Sequence, residues 1–212
     1  MTTSALICIV DDEEDVRHST ELLLRSLGYR TQGFADAASL LASPELAEAG
    51  CILLDLQLGE SNGLDVQKWL AERAIVAGIV LISGYGDIPS TVAAMKSGAI
   101  SFLAKPVAEA ALVAAVDEAL ARSQERRDVR ADRDILQHRF DSLTPRERDV
   151  LELVVAGLMN KQIAGRLGIS EITVKIHRGQ VMRKMEAPSL PDLVRMAEGL
   201  GMKPVTSRYD RD

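Results

Sequence analysis

The sequence predicts an α/β fold, a five-stranded doubly wound parallel sheet, joined by a helical linker to an all-α, four-helix domain with a helix-turn-helix pattern. Three observations carry this expectation. Short apolar runs alternate with amphipathic segments through the first 121 residues, the pattern of strands buried on both faces and linked by right-handed crossovers. From Thr144 onward the runs give way to helical periodicity punctuated by caps and glycines. The charge divides with them: residues 1–121 carry 7 Lys+Arg against 17 Asp+Glu, a net −10, whereas residues 122–212 carry 18 against 14, a net +4. An acidic half joined to a basic half implies two domains with different partners.

The elements follow in order. Ala5–Val10 is the first strand and Glu14–Leu27 the first helix, stopped by Gly28, which tolerates the left-handed conformation a helix end needs. Tyr29–Phe34 is a weaker strand suited to a sheet edge, and a short helix from Ala37 precedes Cys51–Asp55. Helices Gly63–Ala74, Pro89–Ser97 and Val107–Arg122 alternate with strands Ile79–Ile82 and Ile100–Ala104. Residues 122–141 are strongly charged without glycine or proline and read as a solvated helical linker continuing from the last helix of the first domain. Val129, Leu136 and Leu143 recur there every seven residues, too few heptads for a coiled coil. Thr144-Pro145-Arg146-Glu147 is a capping box with proline at the first helical position, opening helix Pro145–Ala156. A helix Asn160–Leu167 stops at Gly168, Ser170 caps a third that runs to Met185, and Ser189 caps a fourth.

Four of the apolar runs end on a residue that handles phosphate or metal: Asp11 and Asp12, Asp55, Ser83, and Lys105-Pro106. Ligands of open parallel sheets bind outside the carboxyl ends of the strands, so the fold gathers three carboxylates, a hydroxyl and an ammonium group in one place. Three bare carboxylates repel one another, and a hard cation such as Mg²⁺ with oxygen ligands removes that repulsion. Asp55, alone at the end of the central run, is the candidate nucleophile for an aspartyl-phosphate. Lys105 can pair with a phosphate oxygen and Ser83 can donate to another. Each residue alone has a plainer meaning, a solvated turn for the acidic pair and a turn for Lys-Pro; their joint occurrence after successive strands points to phosphorylation.

On these residues the segment 1–121 resembles the receiver domain of two-component response regulators, a flavodoxin-like sheet. The resemblance implies that Asp55 accepts phosphate from a phosphohistidine on a sensor histidine kinase. It implies Mg²⁺, for which Mn²⁺ can substitute, held by Asp12, Asp55, Asp11 through water, and the backbone carbonyl of Gln57. It further implies a cis bond before Pro106 and a switch pair, Ser83 and Phe102, that reshapes the surface of the Pro89–Ser97 helix and the following strand. One departure is Gly59-Glu60, where the family commonly has proline then glycine; the loop gains freedom, and Glu60 adds negative charge beside the metal site.

Residues 144–199 resemble the LuxR-type helix-turn-helix through Thr144-Pro-Arg-Glu-Arg, Asn160-Lys-Gln-Ile-Ala and Ile172-Thr-Val-Lys-Ile-His-Arg, and the two domains together resemble the FixJ/NarL class, closer to FixJ. The resemblance implies a cytoplasmic transcription regulator that dimerises on phosphorylation and binds double-stranded promoter DNA, with RNA polymerase as a further partner. Read from the residues, one stripe of the recognition helix is mostly core-facing (Val174, Arg178, Val181, Met185) and another mixes donors with apolar groups suited to base edges (Ile172, Lys175, Ile176, Gly179, Gln180, Arg183). Lys161, Arg178, Arg183 and Lys184 are read as phosphate contacts, and Thr173 and His177 complete the expected DNA-contact set. Gly179 is anomalous, because a glycine inside a helix costs about 1 kcal/mol relative to alanine; it is expected to let the helix approach DNA closely.

The totals bound the alternatives. No apolar run approaches the roughly 18 residues of a membrane span, and the first run is too short and too acidic in its flank for a signal peptide. Cys8 and Cys51 fall on the first and third strands and are expected as buried thiols, not a disulfide. His18, His138 and His177 have no metal-binding spacing. A magnesium-dependent phosphatase needs a general acid/base two residues after the nucleophile, where this chain has Gln57. The expectation is therefore a non-enzymatic regulator, with its own phosphotransfer and slow autodephosphorylation as its only chemistry. The other rival is a receiver that acts as a phosphorylation-independent interaction module.

Overall fold

The computed structural model describes residues 5–59, 61–84 and 88–202; Glu60 and the C-terminal tail from residue 203 lie outside them. The chain forms two compact units that divide between Arg127 and Asp128. In the first, strands β1 (Leu6–Val10), β2 (Arg30–Phe34), β3 (Ala49–Asp55), β6 (Gly78–Ser83) and β7 (Ser101–Ala104) form a sheet ordered β2-β1-β3-β6-β7. Every neighbouring pair is parallel. The weak second strand lies at an edge, as its sequence predicts. The central β3 is buried along its whole length, the reason its sequence is a continuous apolar run.

Side-chain alternation along the strands divides the core into two layers. Leu6, Cys8, Val10, Ile52 and Leu54 face one side, against α2 (Ala37–Ala42), α3 (Gly63–Glu72) and α4 (Ile88–Lys96) through Leu40, Leu70 and Ala94. Ile7, Ile9, Cys51 and Leu53 face the other, against α1 (Glu14–Ser26) and α5 (Glu109–Asp141) through Leu24, Leu112 and Val116. The two cysteines thus sit on adjacent strands but point into opposite layers, which explains why both are free. Burial pushes the Cys8 thiol up to about 12.

One feature differs from the sequence expectation. A two-residue hairpin, β4 (Gln57–Leu58) with β5 (Ser61–Asn62), follows β3 directly. The charged linker continues from the last helix of the first domain, as its sequence predicts, and the two form one element, α5, of 33 residues. Its final turns join the second core, against which Leu136 and Phe140 pack; Leu143, two residues past the helix end, lies within that core.

The second unit is built from α6 (Pro145–Val155), α7 (Asn160–Leu167), α8 (Glu171–Lys184) and α9 (Leu190–Gly199) around Val150, Leu151, Ile163, Val174, Val181 and Leu193. The capping box is complete: Glu147 N donates to Thr144 Oγ1 at 3.3 Å and Thr144 N donates to Glu147 Oε2 at 2.8 Å. Gly168 closes α7 in the left-handed conformation, φ 66°. Ser170 Oγ then accepts from Thr173 N at 3.1 Å and starts α8. No described helix is long and apolar enough to cross a membrane.

Candidate functional site

The carboxyl ends of β1, β3 and β7 bring together the residues singled out in the sequence. Asp11 and Asp55 are 4% and 5% exposed, Asp12 is open to solvent, and ligand oxygens of all three lie within 4.8 Å of one another. Lys105 Nζ donates to Asp55 Oδ2 at 2.5 Å and to Asp11 Oδ2 at 3.0 Å. The backbone fixes these ends. Lys105 N donates to Ser83 O at 2.7 Å and Leu56 N to Ile82 O at 2.8 Å, which ties β7 and β3 to β6. Gln57 N donates to Asp55 Oδ1 at 2.9 Å and orients the carboxylate. Gly63 closes the following loop, where an added Cβ would stand 2.5 Å from Asp55 O. The Lys105–Pro106 bond is cis.

Burial pushes the Asp11 carboxyl up from its ordinary range, with Lys105 opposing and the Asp55 charge adding to the rise. Burial acts to lower Lys105, but hydrogen bonds and charge from Asp55 and Asp11 outweigh it and hold the ammonium firmly protonated. Ser83 is fully buried at the end of β6, beside Ala104 in register. Phe102 on β7 is partly buried and packs into the layer shared with α3 and α4. A cavity of about 620 Å³ opens over the carboxylates, bordered by Asp12, Asp55, Gln57 and Lys105.

In the second unit, α8 turns Val174 and Val181 inward. Lys175, Ile176, Gly179 and Arg183 are exposed on it, as is Lys161 on α7. Other members of the expected DNA-contact set are engaged by the fold. Arg178 Nη1 donates to Asn160 Oδ1 at 2.6 Å, joining α8 to α7. Lys184 Nζ donates to Glu147 Oε2 at 2.6 Å and to Ser142 O at 3.2 Å. Thr173 Oγ1 shares a 2.8 Å hydrogen bond with Ser170 Oγ, Gln180 accepts from Arg183, and His177 is half-buried.

Comparison with known proteins accounts for both units. Residues 7–117 match the response regulator receiver domain, and residues 141–197 match the luxR family of bacterial regulatory proteins. Nodulation protein W of Bradyrhizobium diazoefficiens is 45% identical over 95% of this chain and 88% of its own length. Transcriptional regulatory protein FixJ of Azorhizobium caulinodans is 41% identical over 96% of this chain and 97% of its own. The chain belongs to the two-component response regulators, FixJ-like, with a LuxR-type DNA-binding domain. Among solved structures, that of the response regulator StyR aligns with a TM-score of 0.83 at 43% identity, covering 92% of this chain and 99% of its own.

The acidic end of this response regulator fits the Mg²⁺ that its receiver domain implies. The donors are hard oxygens, one of the three carboxylates is open to solvent, and the cation already among them, Lys105, reaches only the two buried ones. Sequence reasoning missed Glu13 and Arg17. Glu13 Oε1 accepts from Lys105 Nζ at 3.3 Å, and Arg17 Nη1 donates to Asp11 O at 2.6 Å. The signal for Glu13 was the unbroken acidic run that follows β1. Arg17 carried none, because its partner is a backbone carbonyl.

Proposed function

We propose that this response regulator is switched by Mg²⁺-dependent phosphorylation of Asp55 and then binds promoter DNA as a dimer. An Asp55 oxygen attacks the phosphorus of a kinase phosphohistidine; the P–N bond breaks and its electron pair returns to the imidazole, which takes up a proton. Asp12, Asp55, the Gln57 carbonyl and Asp11 through water would hold Mg²⁺, which would supply charge neutralisation for the transferred group. Lys105 leaves Asp55 for a phosphoryl oxygen, Ser83 donates to another, and Phe102 moves inward. The convergence of three carboxylates and Lys105 at the strand ends carries this reading. Ile88, Val92 and Met95 form an exposed apolar stripe on α4 and support that helix, with β7, as the dimer face. A dimer presents two copies of α8 to related half-sites.

The functional division is a receiver over residues 1–121, a linker over 122–141 and a DNA-binding domain over 142–212. The protein acts in the cytoplasm without catalysing turnover of a substrate. Gln57, an exposed amide, cannot take the proton of an attacking water as a general base would, so it does not support fast hydrolysis of the aspartyl-phosphate. Binding to a selected operator, measured with and without a small-molecule phosphodonor plus Mg²⁺, tests the proposal. Tighter binding with the donor that is lost in Asp55→Asn is the expected result; equal affinity in both conditions makes the receiver a phosphorylation-independent module.

A further inference from the structure

Ile172 and Ile176 are the two large aliphatic side chains that α8 leaves in solvent, 74% and 57% exposed. Four residues apart, they lie one above the other on the face opposite Val174 and Val181. Gly179 occupies the next turn of that face. A Cβ there would meet nothing within 4 Å, so internal packing does not call for a glycine that weakens the helix. Lys175 and Arg183, both exposed, border the patch. An apolar centre with a cationic rim and a bare backbone suits a ligand that is anionic outside and apolar at its point of closest approach.

We propose that Ile172 and Ile176 read the C5 methyl groups of two thymines in each half-site, with Gly179 allowing the base edges to meet the helix backbone. The inference rests on the DNA-binding reading above and adds the base that is read. Thymine C5 methyl is the apolar group that unmodified base edges present in the major groove, and the phosphates beside it complement Lys175 and Arg183. Four residues of helix advance about 6 Å, against about 3.4 Å per base along a strand. The two methyls therefore lie one or two base steps apart.

The test uses the full chain treated with phosphodonor and Mg²⁺. A preferred duplex is selected from a random pool, and each thymine is replaced in turn by deoxyuridine, which removes only the methyl group. Affinity is expected to fall about fourfold at each of two nearby thymines, the equivalent of one lost methyl burial. Ile172→Ala and Ile176→Ala proteins should each lose the response at one of those positions. Undiminished sensitivity in both variants, or no sensitive thymine in a well-bound site, overturns the inference and leaves the DNA-binding reading standing. Failure to select any preferred sequence overturns both. If the pair serves a protein contact instead, the variants bind DNA and respond to deoxyuridine as the parent does. The deoxyuridine series on the unsubstituted protein needs no variant to fold.

Discussion

Lys184 Nζ stands 2.6 Å from Oε2 of Glu147, a carboxylate only 5% exposed that also caps α6. The last turn of α8 is thereby tied to the first turn of α6, and through Ser142 O to the segment that follows α5. Arg139 on α5 adds an ion pair to Glu186, just past α8. Lys184 is engaged as a fastener of the helix, and the two roles open to it, fastener and phosphate contact, separate by salt dependence. In Lys184→Met the slope of log affinity against log salt should match the parent, while the domain loses about 2 kcal/mol from stranding a buried carboxylate. Arg183→Ala should instead flatten the slope by close to one phosphate contact, about 0.9. A flattened slope in Lys184→Met would return that residue to the DNA surface.

The same pair sets a pH dependence. Burial acts to raise Glu147, but the hydrogen bond and charge of Lys184 and the two bonds with Thr144 outweigh it and hold the carboxyl below its ordinary 4.5. A carboxyl lowered in the folded state contributes stability that is present above its unfolded value and is lost as pH falls through the folded one. Thermal unfolding of the parent should therefore weaken below about pH 4.5 more steeply than that of Glu147→Gln. Parallel profiles for the two proteins would show that the pair is not what acid removes.

Legibility in the sequence followed how local each cause was. Asp55 could be placed because β3 is buried on both faces, so its apolar run ends where the carboxylate begins. The β4–β5 hairpin could not: two-residue strands are too short to show a period, and the turn depends on Gly59 at φ 58°. The seven-residue spacing of Val129, Leu136 and Leu143 was visible, but not its meaning. Leu136 and Leu143 are taken into the second core, which leaves Val129 65% exposed. The partners of Arg178 and Lys184 within the fold were not legible, because charge along a helix does not reveal what it pairs with. Asn160 and Glu147 stand 18 and 37 residues away in sequence.

Lys105 bridges Asp11 and Asp55 as a cation does. Lys105→Met leaves three carboxylates with mutual oxygen distances within 4.8 Å and no bridging charge, at a cost of about 2 kcal/mol near neutral pH, less than for a fully buried pair. If Mg²⁺ binds the folded cluster and not the unfolded chain, as proposed above, its effect on unfolding follows mass action. The expected outcome is a lower melting temperature without Mg²⁺ and a larger Mg²⁺-induced rise than in the parent. A Mg²⁺ response equal to the parent's would mean that Lys105 and the metal do not share the site.

Gly179→Ala separates stability from binding by opposite signs. The new methyl group meets open space, so the helix gains the full alanine propensity, about 1 kcal/mol. In a domain of this size that raises the melting temperature by about 4 °C or more. If base edges approach the backbone there, the same methyl group obstructs them, and operator affinity should fall several-fold while the salt slope, set by Lys175, Arg183 and Lys161, stays constant. A protein that is more stable and binds DNA equally well would show that the glycine serves no contact. One that is more stable but binds less well would show that helix stability is given up at this position for access to the bases.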